Sequence, residues 1–501
     1  MRRVAVGFAA LIVSSVGLKA AETPNFTTTE VSVGAPIVSI VGVHDVGFGR
    51  SVLVTTKDET DRAFYFLNPK DGTKMREPII APDEMLFFDI AETSTPNRPD
   101  ALLILTAKGV AKLNAETGTF DPIVETTSIF GRRKGIRFER GDFAHDLDGN
   151  GLFDLVVPDF DKTVVLLQTK DGFESVSLPI VAEQRFPLRP ELTASGLDWS
   201  IYAAFPKFVL QRNLQKAKDL IFHVGDSLQA FLSDVGSFPR SRFEVALPSL
   251  VRGNTWEDEI AAFEANTDQS KYDDTIIMFV EDLDQDELPD LVIERSTASG
   301  VFDRQSSYLF FFAKKADDSF VYPETPDTTL DFNGFVADLQ LIDVNGDGLK
   351  DVAATHVNFS LRKVISILLT GAARMKLDTF LAGKGHAFNE ADESDLTLTV
   401  DIDMSKGSTA TPVVKFADVD DDNDQDLIVS KNNDTLRLLA GGPSPFEEEL
   451  FEIKADLPRN GDFVSPVDLD DDGDIDFVYH YDRLGEDGRD KVDRLVLIRH
   501  Q

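Results

Sequence analysis

The nine residues Asp-Leu-Asp-Gly-Asn-Gly-Leu-Phe-Asp at 146–154 are the first of five copies of one acidic loop in this chain. The other copies lie at 282–290, 343–351, 418–426 and 468–476. Every copy has a carboxylate or carboxamide at positions 1, 3 and 5 and an aspartate at position 9. This spacing arranges oxygen ligands around a hard divalent cation, and Ca²⁺ fits such a set best. Five copies in one register predict an array of similar units.

The predicted metal ligands are the side chains at positions 1, 3, 5 and 9 of the loops. They are Asp146, Asp148, Asn150, Asp154, Asp282, Asp284, Asp286, Asp290, Asp343, Asn345, Asp347, Asp351, Asp418, Asp420, Asp422, Asp426, Asp468, Asp470, Asp472 and Asp476. One cation per loop gives up to five Ca²⁺ sites, with a position-7 carbonyl and water expected to complete each shell. The second loop departs from the pattern because Glu287 stands at position 6, where glycine is expected.

The loops are not EF-hand loops, although both begin with the same alternation of acidic residues. An EF-hand needs a glutamate at position 12 and flanking helices. Position 12 here is occupied by side chains that do not ligate Ca²⁺: Val157, Ile293, Ala354, Val429 and Tyr479. The flanks are short apolar runs typical of strands.

Each loop lies between two segments of β type. Residues 275–281 and 291–294 flank the second loop, and both are rich in β-branched and other apolar residues. A third apolar run follows about ten residues later in most units, for example at 308–312 and 364–369, and a weaker fourth comes after it. Four antiparallel strands per repeat are typical of a propeller blade. The sequence therefore predicts an all-β, closed β-propeller.

Three degenerate units extend the count to eight blades, with seven as the alternative. Ser51, Asp100 and Asp219 align with position 9 in these units, and no metal is predicted there. The last unit has room for only three strands, so the segment 27–33 is expected to supply its outer strand and close the ring.

The loops at 343–351 and 468–476, each entering an apolar strand, resemble FG-GAP/VCBS repeats. Such repeats build the propellers of integrin α-subunit heads and of many bacterial secreted proteins. The resemblance covers nearly all of the chain after residue 35, strongly in five units and weakly in three. It implies that the acidic loops bind Ca²⁺.

The N-terminus resembles a secretory signal peptide. A short basic start precedes an apolar run that ends in small residues, which predicts cleavage after about residue 21. One propeller domain is then expected over 22–501, with insertions near 251–274, containing a short helix at 256–263, and near 371–412. The chain contains no cysteine, which excludes a lipid-anchored lipoprotein and thiol chemistry. We expect a secreted, periplasmic or cell-surface protein.

The net charge of the chain limits the kinds of partner that it can bind. The chain has 87 Asp and Glu against 50 Lys and Arg, a net charge of −37, and removing the three basic residues of the signal peptide gives −40. Such a charge disfavours nucleic acid and anionic membrane surfaces. No later apolar run approaches the length of a membrane span.

No recognised catalytic motif is present, and no catalytic residue is predicted. His223, His356 and His480 follow position 9 at similar distances and are candidates for a ligand-binding rim, with local packing as the alternative. The sequence favours a non-enzymatic calcium-binding scaffold for a protein or glycan partner. A calcium-dependent polysaccharide lyase is the alternative, because some such lyases are similar propellers, and a subunit of a surface adhesion complex is a third possibility.

Overall fold

The computed structural model describes residues 25–58, 61–93, 98–132, 138–185, 200–202, 208–211, 217–251, 272–300, 303–317, 319–358, 372–391, 396–403, 408–409, 411–481 and 491–501. The predicted signal peptide, the predicted helix at 256–263 and the predicted strand at 364–369 lie outside these ranges. Inside them, the regular structure consists of β-strands and three short 3₁₀ turns at Ile129–Arg132, Ser249–Val251 and Gly461–Phe463. The prediction of an all-β fold is confirmed.

The strands of the first half of the chain follow β1 (Phe26–Ser32). Blade 1 contains β2 (Ile37–His44), β3 (Ser51–Lys57), β4 (Arg62–Leu67) and β5 (Ile79–Ile80). Blade 2 contains β6 (Met85–Ala91), β7 (Ala101–Thr106), β8 (Gly109–Asn114) and β9 (Thr119–Glu125). Blade 3 contains β10 (Ala144–His145), β11 (Asp154–Pro158), β12 (Thr163–Thr169) and β13 (Gly172–Leu178). A separate pair contains β14 (Glu183–Arg185) and β15 (Ser200–Tyr202). Blade 4 contains β16 (Phe208–Gln211), β17 (Lys218–Val224), β18 (Ser227–Asp234) and β19 (Ser237–Ala246).

The second half continues the same order. Blade 5 contains β20 (Tyr272–Glu281), β21 (Asp290–Ala298), β22 (Arg304–Phe311), the added hairpin of β23 (Lys314–Ala316) and β24 (Ser319–Val321), and β25 (Thr328–Asn333). Blade 6 contains β26 (Phe335–Ile342), β27 (Asp351–Val357), β28 (Ala372–Gly383), β29 (Ala387–Glu390), β30 (Leu396–Asp403) and β31 (Ser408–Thr409). Blade 7 contains β32 (Val414–Ala417), β33 (Asp426–Asn432), β34 (Thr435–Leu439) and β35 (Glu449–Lys454). Blade 8 contains β36 (Ser465–Val467), β37 (Asp476–His480) and β38 (Arg494–His500), together with β1.

Each blade is an antiparallel sheet whose strands pair in chain order. Blade 6 departs from the four-strand pattern because β29 pairs with the far end of β28 and β31 continues beyond β30. The third strand of this blade is β28, which pairs with β27. The strands β28 to β31 lie within the segment 371–412. The prediction of eight blades is confirmed.

The second strand of each blade is buried on both faces. In β11, Leu155 and Val157 pack with blade 2, whereas Val156 packs with blade 4. Successive side chains of a strand point to opposite faces, so every residue of this run meets one neighbouring blade or the other. This explains why an uninterrupted apolar run follows each acidic loop.

The ring is closed by side-chain packing between separate sheets. Seven hydrophobic clusters each join two consecutive blades, from blades 1 and 2 round to blades 7 and 8. An eighth cluster joins the last blade to the first, bringing Val52 and Val54 against Leu469 and Val478.

The two chain ends complete blade 8 together. Strand β1 pairs antiparallel with β38 along seven positions, from Phe26 opposite His500 to Ser32 opposite Arg494. The predicted outer strand at 27–33 is therefore confirmed, with bounds one residue earlier. The pairing covers the free edge of β38, which removes an edge open to other chains.

Blade 2 keeps the position-9 aspartate, although its strand pairing differs by one residue from that of the acidic loops. In those loops position 9 pairs with the residue before position 1, as Asp154 does with His145. In blade 2, Ala91 pairs with Ala101 instead. Asp100 nevertheless accepts the N–H of Thr93, seven residues earlier (2.9 Å), as Asp154 accepts that of Leu147. The alignment of Asp100 with position 9 therefore agrees with its hydrogen bonding.

Candidate metal centres

The five acidic loops connect the first and second strands of blades 3, 5, 6, 7 and 8, and are named L1 (146–154), L2 (282–290), L3 (343–351), L4 (418–426) and L5 (468–476). They share one backbone conformation, with a positive φ angle at positions 4 and 6. The residues are Gly149, Gly151, Gln285, Glu287, Gly346, Gly348, Asp421, Asn423, Asp471 and Gly473. This conformation favours glycine, yet Glu287 adopts it at φ 67°. L2 therefore has the same loop geometry as the others despite its missing glycine.

The carboxylate at position 1 caps the turn of its own loop. In all five loops it accepts a hydrogen bond from the backbone N–H of position 6, as from Gly151 to Asp146 at 2.9 Å and from Gly348 to Asp343 at 2.8 Å. The position-5 side chain accepts the N–H of position 7, for example that of Leu288 to Asp286 at 2.8 Å. These bonds fold the loop so that its acidic side chains converge.

The aspartate at position 9 ties its loop to the third strand. One oxygen of Asp154 accepts the N–H of Leu147 at position 2 (2.8 Å), and the other accepts the N–H of Gln168 near the end of β12 (2.7 Å). The same two-sided arrangement occurs at Asp290, Asp351, Asp426 and Asp476. These carboxylates are almost completely buried. Position 9 therefore holds the blade together whether or not a metal is bound.

Three carboxylates converge in four of the loops. One oxygen each from positions 1, 3 and 9 lies within 4.8 Å of the other two in L1, L2, L4 and L5. L3 has Asn345 at position 3, so it offers an amide oxygen there beside Asp343 and Asp351. Several buried aspartate clusters are thus arranged to hold a metal ion.

Two observations test the fit of a cation. Oδ1 of Asp146 in L1 and Oδ1 of Asp470 in L5 are buried, and neither has a hydrogen-bond partner among the described residues. A buried acceptor without a donor is costly, and a bound cation would satisfy it. The residues present therefore fit a divalent metal at positions 1 and 3.

The electrostatics of the clusters agree with that fit. Burial, with a smaller contribution from neighbouring aspartates, raises the pKa of Asp154 to about 7, of Asp290 to about 8 and of Asp351 to about 6. In L4 the same causes raise the pKa of Asp420 to about 6. Burial without a counter-charge disfavours the ionised form of these carboxylates, whereas a bound divalent cation would favour it.

The loops also join neighbouring blades. The backbone N–H of Lys350 in L3 donates to the position-2 carbonyl of Leu283 in L2 (3.0 Å). Lys218 of blade 4 donates in the same way to Leu147 of L1 (3.0 Å). The carbonyl of Leu469 in L5 accepts instead from the Arg50 side chain of blade 1 (3.3 Å). The loops L1, L2, L3 and L5 therefore take part in joints between blades.

The counter-charges differ between loops, which the sequence did not reveal. In L5, Arg499 contacts Asp470 (3.2 Å). Arg50 lies near Asp471, and His500 lies near Asp474. In L2, Nε2 of His386, from the β28–β29 turn, lies 3.1 Å from Asp284 Oδ2. No ion pair to L4 is found in the described part of the chain. These partners come from distant strands, so loop spacing could not predict them.

The degenerate units lack the acidic constellation in their described parts. In blade 1, Asp45 accepts the N–H groups of Gly47 and Gly49. In blade 4, Asp219 accepts the N–H of Ser233 (2.7 Å). In blade 2, Asp100 lies 3.2 Å from His44. These side-chain contacts of Asp45 and Asp219 lie within their own blades, whereas the contact of Asp100 with His44 joins blades 1 and 2.

The three predicted rim histidines have local partners. His223 lies within 2.9 Å of the Gly225 carbonyl, and His356 within 2.8 Å of Asp378. His480 is buried and stacks on Phe463, with ring centroids 4.2 Å apart. Contact of any of them with a ligand stays a prediction.

Together these observations define the class: an eight-bladed β-propeller with candidate metal-binding loops. No protein-family model and no curated protein matches the chain. One solved structure to which it is similar is the V. cholerae biofilm matrix protein Bap1, at 10% identity and a TM-score of 0.35 over 95% of this chain and 88% of that one. Among the described residues, no helix has the length and apolar character needed to cross a membrane.

Proposed function

We propose that this chain is a calcium-binding propeller of the FG-GAP/VCBS type that acts, without catalysis, as a binding or adhesion scaffold for a protein or glycan partner. The observation that carries the proposal is the position of the acidic loops. L1, L2, L4 and L5 hold three convergent carboxylates each, and L1, L2, L3 and L5 bond to a neighbouring blade. A cation there would stabilise both a loop and a joint between blades.

Calcium is the cation that the donor set favours. The loops offer only carboxylate, amide and carbonyl oxygens, and sulfur and imidazole ligands are absent from their nine-residue sequences. Hard oxygen donors in a flexible loop suit Ca²⁺, whereas Zn²⁺ and Cu²⁺ prefer nitrogen or sulfur ligands. The donor set therefore supports metal sites that stabilise the structure and leave no coordination position open for a substrate.

Export supports the same proposal. Extracellular calcium modules bind with Kd values of about 10⁻⁴ to 10⁻³ M, which suits calcium-rich surroundings outside the cell. The signal-like segment at 1–21 agrees with export. A secreted, periplasmic or cell-surface location is therefore part of the proposal.

The test uses the chain from residue 22 and measures calcium stoichiometry by equilibrium dialysis, then retention of glycans and envelope proteins in Ca²⁺ and in EDTA. The proposal predicts four or five bound Ca²⁺ and calcium-dependent retention of a partner whose mass is unchanged. Conversion of a uronate polymer to unsaturated product would support the lyase alternative instead. Absence of bound calcium would overturn the proposal.

A further inference from the structure

Two additions to the regular blades converge on loop L2. The β23–β24 hairpin lies between the third and fourth strands of blade 5, and the turn between β28 and β29 extends blade 6. Together with β19 of blade 4, they form the walls of a cavity of about 970 Å³ whose lining includes Asp284 and Asp286 of L2. Ligand sites are commonly clefts of about 300 to 1,000 Å³.

The hairpin wall is firmly attached to L2. Just beyond β24, the buried hydroxyl of Tyr322 donates to the carbonyl of Pro289, at position 8 of L2 (2.8 Å). Phe320 packs edge-on against Tyr322, with ring centroids 5.7 Å apart, and belongs to the core between blades 4 and 5. The hairpin therefore holds its outer residues in a defined place relative to the loop.

The blade 6 turn is attached at its tip. The ring of His386 stacks on Phe312, with centroids 3.8 Å apart and an interplanar angle of 11°. Its Nε2 lies 3.1 Å from Asp284, and its carbonyl accepts a hydrogen bond from the hydroxyl of Thr328. Both added walls thus end in contacts that fix them around one acidic loop.

The cavity lining contains three basic side chains, Arg240, Lys314 and Lys315, beside Asp219, Asp317 and the acidic side chains of L2. Arg240 and Lys314 each have an ion-pair partner, Asp234 at 3.3 Å and Asp327 at 3.7 Å. Lys315 is exposed and has no ion-pair partner among the described residues. Its charge is therefore the one most available to a ligand.

The same cavity offers apolar surface beside these charges. Phe243 and Leu288 line it, and both side chains are only partly buried. A flat ring can lie against such a surface while its polar groups reach the charged wall. The lining therefore suits a ligand that combines a ring with a negative charge.

We propose that this cavity binds an acidic saccharide, with a uronate carboxylate facing Arg240, Lys314 and Lys315 and the sugar ring lying against Phe243 and Leu288. The inference rests on the proposed function, because a cation held by L2 would offset the repulsion between its aspartates and the ligand. A uronate carries its carboxylate on a rigid sugar ring, so one ligand can use both the apolar and the basic side chains of this lining. An extended acidic peptide would place its carboxylates on flexible stems, with greater ordering cost.

The experiment titrates the chain from residue 22 with tri-galacturonate, its neutral methyl ester and tri-glutamate by calorimetry, in Ca²⁺ and in EDTA. Tri-galacturonate is expected to bind in Ca²⁺, and removal of Ca²⁺ or esterification should weaken it at least about tenfold. Lys315→Gln should weaken binding about fivefold. Lys170→Gln, at an exposed turn outside the cavity lining, is the matched control and should change nothing.

Glu287→Gln is expected to change the affinity for tri-galacturonate in the opposite direction to Lys315→Gln. Glu287 also lines the cavity, so removing its charge should tighten binding of tri-galacturonate about threefold. Equal affinity in Lys315→Gln and wild type, tighter binding of tri-glutamate, or no binding of tri-galacturonate would each overturn the inference. If calcium still binds and stabilises the chain in those cases, the proposed scaffold function survives.

Discussion

The backbone N–H of Lys350 donates a 3.0 Å hydrogen bond to the carbonyl oxygen of Leu283, at position 2 of L2. The bond attaches blade 6 to the acidic loop of blade 5, so the shape of the loop bears on the joint between the blades. The side chain of Gln285 adds a second link, because its amide donates to the carbonyl of Gly348 in L3. Cation binding in L2 is therefore expected to stabilise two blades at once.

The aspartates at position 9 and at position 5 of a loop should respond differently to substitution. Asp290→Asn replaces one acceptor oxygen of the ionised carboxylate with an amide donor that faces a backbone N–H, so the free energy of unfolding should fall by about 2 kcal/mol in EDTA at a pH above about 8, where Asp290 is ionised. Asp286→Asn, at an exposed position 5 of the same loop, is the matched variant and should mainly reduce the stabilisation by Ca²⁺. Urea unfolding in EDTA and in Ca²⁺ measures both. Equal loss of stability in EDTA for the two variants would contradict the role given to position 9.

The stability of the metal-free protein should fall as the pH rises. The folded-state pKa values of Asp351, Asp154 and Asp290 are raised to about 6, 7 and 8, above the ordinary value for an unfolded chain. The folded state therefore binds these protons more tightly, and their stabilising effect is lost as the pH rises from about 4 to about 8. In Ca²⁺ the carboxylates are ionised and paired, so the stabilisation by Ca²⁺ should grow over the same range. Urea unfolding across this pH range measures the dependence. A difference in unfolding free energy between Ca²⁺ and EDTA that does not change with pH would contradict it.

Loop L5 should bind Ca²⁺ less tightly than its carboxylates alone would allow. Arg499 lies 3.2 Å from Asp470, and its charge opposes a cation at position 3. Arg499→Gln should therefore raise the affinity of L5 about threefold to tenfold, measured by calcium titration. Arg437→Gln, which removes an arginine paired with Glu449 in blade 7, is the control. Unchanged affinity in Arg499→Gln would show that this ion pair does not regulate the site.

Ring closure should depend on β1. Deleting residues 25–33 removes the strand that pairs with β38 and the buried Val33 of the cluster between blades 8 and 1. The exposed edge of β38 should then lower the thermal midpoint and promote self-association, which light scattering during chromatography would detect. A monomer with an unchanged midpoint would contradict closure by β1.

The amino-acid sequence alone was sufficient to predict the features of the structure that repeat from blade to blade. The acidic spacing, the apolar run after position 9 and the two chain ends together predicted the blades and their closure, because these features follow from local periodicity. It was insufficient for the contact between Asp100 and His44, which joins blades 1 and 2. It also missed the β23–β24 hairpin and the approach of Arg499 and His386 to the loops, because such contacts depend on distant strands meeting in the folded ring.

The most direct test of the central claim is the free energy of unfolding of the chain from residue 22, measured with urea in EDTA and in Ca²⁺ at about ten times the Kd. Each filled site contributes roughly 1.4 kcal/mol under that condition, so four or five sites predict an increase of about 6 to 7 kcal/mol. Mg²⁺ at the same concentration should have a much smaller effect, because it requires near-octahedral geometry and gives up water reluctantly. An unfolding free energy that is the same in EDTA and in Ca²⁺ would contradict the claim that calcium holds this ring together.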